Sequence, residues 1–225
     1  MTEAELVRLI DHTLLKPEAT PEDVRRLAAE AREHGFASAC VNPAYVPLVA
    51  SVLAGSAVKT CAVAGFPLGA SLTRTKLLEA ESAMRLGATE IDMVIHVGAL
   101  RAGDDAAVES EIRQLADLCH GRGTLLKVIL ETALLSSEEK ARGARAAMNA
   151  GADFVKTSTG FGPGGATIED VALLRATVGV RLGVKASGGI RTLADLERMV
   201  AAGASRIGTS SGTRIVAEFR SSSSD

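Results

Sequence analysis

Tryptophan is absent from this chain, tyrosine occurs once, and aromatic residues make up only 3% of its 225 residues. Stacking of nucleobases on aromatic platforms is therefore poorly served. A basic excess is also missing: 25 lysines and arginines face 27 acids, for a formal net charge of -2. Nucleic-acid backbones select cationic stripes, so no nucleic-acid partner is expected. Cysteine is scarce. Cys40, Cys61 and Cys119 are odd in number and show no CxxC spacing. This favours a reducing compartment over a disulfide framework. No run of ~18 apolar residues occurs, so no membrane span is expected. The first residues are acidic and lack an apolar signal core, which makes the cytoplasm the expected location. His12, His34, His96 and His120 fall at no metal-ligand spacing, and neither a metal nor another cofactor is expected.

What is present is an ordinary globular composition, 47% hydrophobic and 23% charged. Strand-like and helix-like stretches alternate along it. Thr20-Pro21-Glu22-Asp23 opens a helix with a hydroxyl cap, a proline in the first turn and acids that suit the dipole. The pattern predicts helices over 20–34, 72–86, 104–120, 137–149, 167–177, 192–202 and 210–219. It predicts strands over 9–14, 37–41, 58–64, 90–95, 125–130, 153–157, 182–186 and 205–208. A capping phrase recurs as Leu86-Gly87-Ala88, Ala150-Gly151-Ala152 and Ala202-Gly203-Ala204, each time before a strand. Eight βα units of roughly 28 residues favour a single closed (β/α)8 barrel over 1–219, preceded by a short N-terminal helix. The serine-rich stretch 220–225 is expected to be a disordered tail. An open doubly wound sheet would show a GxGxxG turn after its first strand, and none is there.

In such barrels the working residues stand at the C-terminal ends of the strands. Two lysines occupy those ends on consecutive units, in Phe154-Val155-Lys156-Thr157-Ser158 and Val184-Lys185-Ala186-Ser187. On adjacent strands they stand about 5 Å apart. Burial and a second cation both favour a neutral amine, which is a nucleophile toward carbonyl carbon. Spacing alone leaves open which lysine reacts and which perturbs. Asp92, inside an apolar strand, either balances a lysine or shuttles a proton. Lys127 is a further interior lysine, read as a member of the charge network, and Asp11 fixes a neighbouring charge. Cys40 is read as a small buried residue beside the site rather than a reactive thiol. Two glycine-rich turns, Ser187-Gly188-Gly189 and Gly208-Thr209-Ser210-Ser211-Gly212, have the make-up of a phosphate cradle. The glycine-rich stretch after Thr159 is read as a rim loop.

Lys156-Thr157-Ser158-Thr159-Gly160, Lys185-Ala186-Ser187-Gly188-Gly189-Ile190, Asp11-His12-Thr13-Leu14-Leu15 and Gly65-Phe66-Pro67-Leu68-Gly69 resemble segments of the deoxyribose-phosphate aldolase family. So do Asp92-Met93-Val94-Ile95, Lys127-Val128-Ile129-Leu130-Glu131-Thr132 and Gly208-Thr209-Ser210-Ser211-Gly212. The resemblance implies a class I aldolase that cleaves 2-deoxy-D-ribose 5-phosphate into acetaldehyde and D-glyceraldehyde 3-phosphate. It implies Lys156 as the Schiff-base lysine, Lys185 as its perturbing neighbour and Asp92 as part of a proton relay. Ser187, Gly188, Gly189, Gly208, Ser210 and Ser211 become the phosphate-binding set. A homo-oligomer, a dimer first of all, is implied as well. Three positions depart from the familiar pattern. His96 replaces an expected asparagine, Phe161 stands where some members carry lysine, and the tail lacks a tyrosine, Tyr45 being the only one. The competing expectations are a Schiff-base lyase for another phosphosugar or keto acid, and a silent phosphosugar-binding barrel.

Overall fold

A computed structural model describes residues 1–222. The chain runs α1 (Glu3–Val7), β1 (Ile10–Leu14), α2 (Pro21–His34), β2 (Ser38–Val41), α3 (Val46–Leu53), β3 (Lys59–Ala64), α4 (Thr73–Arg85), β4 (Glu90–Val94) and α5 (Val97–Arg101). It continues through α6 (Asp105–His120), β5 (Leu125–Ile129), α7 (Ser137–Asn149), β6 (Phe154–Lys156), α8 (Ile168–Val178), β7 (Gly183–Ser187), α9 (Leu193–Ala201), β8 (Arg206–Thr209) and α10 (Gly212–Ser222). The eight strands pair in parallel and in sequence order, β8 closing onto β1. The molecule is a (β/α)8 barrel with a short N-terminal helix.

Local chemistry accounts for the boundaries. Thr20, Ser136 and Thr192 each complete a capping box with an acid three residues on, satisfying backbone donors that the first turn leaves free. Gly87, Gly151 and Gly203, the glycines of the repeated capping phrase, have φ of 113°, 85° and 112°. A side chain there would be strained, so the repeat reflects a turn that each βα unit needs.

Three elements differ from the sequence expectation. Helix α3 was hidden because Pro43 and Pro47 stand before it and in its first turn, and its segment is almost wholly apolar without clear helical periodicity. The five-residue α5 splits the connection after β4. Residues 220–222, expected in the disordered tail, complete α10 instead. There Arg220 pairs with Glu3 on α1, and Ser221 and Ser222 bond back to Ala217 and Phe219. Ser223, Ser224 and Asp225 lie outside the described residues.

Strand alternation splits the sheet into two chemistries. Outward residues such as Ile10, Val41, Ala62, Ile91, Met93, Leu126, Val128, Val155, Val184 and Ile207 join the helices in one large apolar core. Inward positions follow the ladder Asp92↔Lys127 and Lys156↔Lys185↔Arg206. Branched aliphatic side chains usually fill such a barrel. Here much of the filling is ionic, and Cys40, Cys61, Val63, Leu15 and Phe66 form only a small apolar plug.

Candidate active site

The ionic filling is one connected cluster. Asp92 Oδ2 accepts hydrogen bonds from Lys156 Nζ and Lys185 Nζ, both at 2.7 Å, and Oδ1 accepts from Lys127 Nζ at 2.8 Å. Asp11 pairs with Lys185 at 2.5 Å and with Arg206 at 2.7 Å. Glu90 pairs with Lys127 at 2.6 Å and with Arg206 at 3.3 Å. Burial by itself would raise the Asp92 carboxyl, but the three ammonium groups outweigh it and hold Asp92 well below the usual carboxylate range. Burial by itself would pull Lys185 down, yet Asp11 and Asp92 prevail and hold it above the ordinary lysine range. Lys127 is raised for the same reason, through Asp92, Cys61, Glu90 and Asp11.

This refines the expectation of two lysines that discharge each other. The two ammonium groups meet on a shared carboxylate, and Lys185 is a firmly held cation. The cluster contains the carboxylates of Asp11, Glu90 and Asp92 against Lys127, Lys156, Lys185 and Arg206. Three anions face four bases, so the set is electrically neutral when one amine carries no proton. Lys127 touches three of these carboxylates, and Lys185 and Arg206 touch two each. Lys156 touches only Asp92. It is also the one of the four bases that lines the main cavity.

That cavity, about 340 Å³, opens at the C-terminal ends of the strands. Lys156 lines it together with Thr159, Gly160 and Phe161, and the two glycine turns contribute Ser187, Gly188, Gly189, Gly208, Thr209 and Ser210. Gly188 and Gly189 have φ of 88° and 83°, which only glycine adopts without strain. Gly208 has a second duty, because a Cβ there would lie 3.0 Å from Lys185 Cε. Of the expected phosphate set, Ser211 is not brought to the wall; its N–H is donated to Thr209 Oγ1. The Ser187 hydroxyl donates to Ser158 O at 2.6 Å.

Cys40 is fully buried in the apolar plug. The thiol that enters the ionic cluster is that of Cys61, which donates to Asp92 Oδ1 at 3.2 Å and accepts from Lys127 at 3.4 Å. Burial pushes the Cys61 thiol up. The ligand atoms of Cys40, Cys61 and Asp92 lie within 4.8 Å of one another. Three ammonium groups already occupy Asp92, which opposes a metal cation there. Sequence reasoning missed Glu90, Cys61 and Arg206. Glu90 carried a usable signal, since it stands two residues before Asp92 on one strand and so shares its face. His96 caps α5 by accepting the Ala99 N–H on Nδ1 at 3.0 Å, a task asparagine also performs at helix starts. Phe161 packs edge-on against Phe66, ring centroids 5.3 Å apart.

Comparison with known proteins agrees with this geometry. A family model described as DeoC/LacD family aldolase matches residues 6–217. The chain is 57% identical over 211 residues to a deoxyribose-phosphate aldolase of Bacillus cereus, covering 94% of each protein. It is 55% identical over 211 residues, with the same coverage, to the enzyme of that name from Bacillus cytotoxicus. Among solved structures, the tetrameric deoxyribose phosphate aldolase from Aeropyrum pernix superposes with a TM-score of 0.91 at 39% identity, over 98% of this chain and 93% of that one. With barrel, lysine cluster and family model in agreement over nearly its whole length, the chain belongs to the DeoC/LacD family of aldolases.

Proposed function

We propose that this chain is a class I aldolase that reversibly cleaves 2-deoxy-D-ribose 5-phosphate to acetaldehyde and D-glyceraldehyde 3-phosphate through a Schiff base on Lys156. One observation carries the reading. In a buried cluster with one base more than it has acids, the amine with the fewest carboxylate partners is the one facing the cavity.

Neutral Lys156 Nζ adds to the C1 aldehyde of the open-chain sugar, and uptake of a proton with loss of water leaves an iminium. A base takes the C3 hydroxyl proton, and the C2–C3 bonding electrons flow into the iminium. C3 leaves as the aldehyde of glyceraldehyde 3-phosphate, and the two remaining carbons stay as an enamine. Protonation at C2 and hydrolysis release acetaldehyde and restore the amine. Asp92, hydrogen-bonded to Lys156 Nζ, belongs to the relay by which protons reach and leave that amine. Lys185 stays cationic and keeps Asp92 ionised, while Asp11 and Lys127 hold the cluster rigid. The backbone of Gly188, Gly189 and Gly208, with Ser187 and Ser210, receives the phosphate and sets the distance from anchor to amine. We further infer a cytoplasmic homo-oligomer, with a dimer as the expected state by sedimentation.

Borohydride reduction in the presence of acetaldehyde, followed by peptide mapping, tests the assignment. An ethyl adduct on Lys156, absent in Lys156→Ala, is expected. An adduct on Lys127 or Lys185 would reject Lys156 as the nucleophile. Labelling only by a longer ketose points to a different Schiff-base lyase. Binding of a phosphate ester with no adduct points to a silent barrel.

A further inference from the structure

Glu131 follows β5 and is the one non-glycine residue with positive φ, 57°, among the described residues. Such a conformation is strained for a residue with a side chain and persists only where surrounding contacts over-determine it. Here the contacts run through the carboxylate, which is buried. Both of its donors belong to Thr159. The backbone N–H lies 3.4 and 3.3 Å from the two oxygens, and the hydroxyl donates to Oε2. Thr159 Oγ1 in turn accepts the Phe161 N–H at 3.0 Å. A Cβ on Gly162 would fall 2.9 Å from Glu131 Cδ, so glycine leaves the carboxylate its space.

The loop after β6 is therefore moored at both ends. Its start hangs on Glu131. Its far end is held by backbone, as Ala166 N–H donates to Ser187 O and Gly188 O at 3.0 and 3.1 Å. Between the moorings, Thr159, Gly160 and Phe161 form one wall of the large cavity. Glu131 does not line that cavity. It borders a smaller one of about 90 Å³ on the other side of the wall, with Pro67, Leu68, Val97 and Leu134.

We propose that Glu131 is a positioning residue for the cleavage assigned above: through Thr159, its carboxylate folds the loop after β6 into the cavity wall. It does so without touching the reacting atoms. The inference rests on the aldolase reading. A phosphosugar long enough to reach from Lys156 to the glycine turns meets this wall. A two-carbon aldehyde on Lys156 does not.

Steady-state kinetics on 2-deoxyribose 5-phosphate and acetaldehyde trapping, run on the full chain, test it. Glu131→Ala should raise KM about tenfold or more while kcat changes less than about threefold. Acetaldehyde should still label Lys156 to the parental extent. Glu131→Gln keeps an acceptor for both Thr159 donors and should bring KM back to within about twofold of the parent. Glu131→Gly removes the carboxylate and relieves the backbone strain, so it reports the same KM rise should the alanine variant fold poorly. A parental KM in Glu131→Gly would overturn the proposal. So would a Glu131→Gln variant that loses kcat, because the acid would then act in proton transfer. A parent protein that gives no adduct on Lys156 overturns the aldolase reading itself, which the Glu131 variants alone cannot do.

Discussion

The lysine–carboxylate assembly inside the barrel has the makings of a catalyst, and a second buried one outside it does not. Inside the barrel, Asp92 gathers Lys127, Lys156 and Lys185. Outside it, Lys76 of α4 pairs with Glu111 of α6 at 2.8 Å and donates to Val94 O at 2.8 Å, while Glu111 also accepts the His96 N–H at 3.2 Å. Both lysines of interest are buried: Lys76 is fully enclosed, and the Lys156 side chain is 3% exposed. Burial and pairing therefore do not distinguish them. The outer pair is closed, one cation to one anion, and neither residue lines the cavity that Lys156 lines. The inner set has one base too many and presents that base to a cavity. An uneven charge count and access, rather than burial alone, separate chemistry from structure here.

The anions carry the largest expected effects. Asp92→Asn leaves several ammonium groups without their shared partner. It should destabilise the fold by about 3–5 kcal/mol and lower kcat/KM by on the order of 10³-fold or more. Glu111→Gln should cost comparable stability in denaturant melts. The kcat/KM of its folded fraction should stay within about tenfold of the parent. Equal activity losses in the two variants would refute the distinction.

The cations give a sharper version. Lys185→Met should abolish turnover, whereas Lys76→Met should act mainly on stability. In the double variant Lys76→Met/Glu111→Leu, apolar packing replaces the closed pair, and stability should return to within about 1–2 kcal/mol of the parent with activity retained. Lys185→Met/Asp11→Leu should remain inactive however stable it is.

The smallest expected effect concerns another buried ionisable group, on β1 next to Asp11. His12 is enclosed by Phe36 and bonded to Glu30 at 2.8 Å. Burial lowers its folded-state pKa below the ordinary value of 6.5, with Glu30 opposing the shift. Below that ordinary value the unfolded chain binds more protons than the folded one, so stability falls as pH drops through the window beneath 6.5. Asp92 acts in the same direction but in a lower pH window. Its lowered pKa adds stability above 3.8 that disappears only as pH falls through the folded value. Melts from pH 7 to pH 5 should therefore lose stability in the parent and be flatter in His12→Gln.

Legibility from sequence followed the same divide. Lys156 and Lys185 could be found because a charge at the end of an apolar strand is conspicuous, and the register pairs them directly. Asp92 was visible for that reason too. Lys76 was not, because a lysine on an amphipathic helix reads as solvent-facing until the packing of α4 against α6 and β4 encloses it. Arg206 opens a short strand and reads as an exposed terminus, yet barrel closure carries it to Asp11. Ser211 looked like its neighbour Ser210, but an internal hydrogen bond to Thr209 takes its N–H and keeps it from the cavity. Glu131 lies in a segment the sequence does mark, although nothing there signals a left-handed backbone or its reach to Thr159.

Local pattern by itself determined the alternation of strands and helices, the glycine stops, the count of eight units and the lysines at two strand ends. These depend on periodicities of two and 3.6 residues and on caps that act within a few positions. Only tertiary structure decided which charges share a carboxylate, which base is left in excess and which loop walls the cavity. Closing the barrel joins residues as distant as Asp11 and Arg206, and Coulomb energies in a dry interior depend on that three-dimensional distance rather than on separation along the chain.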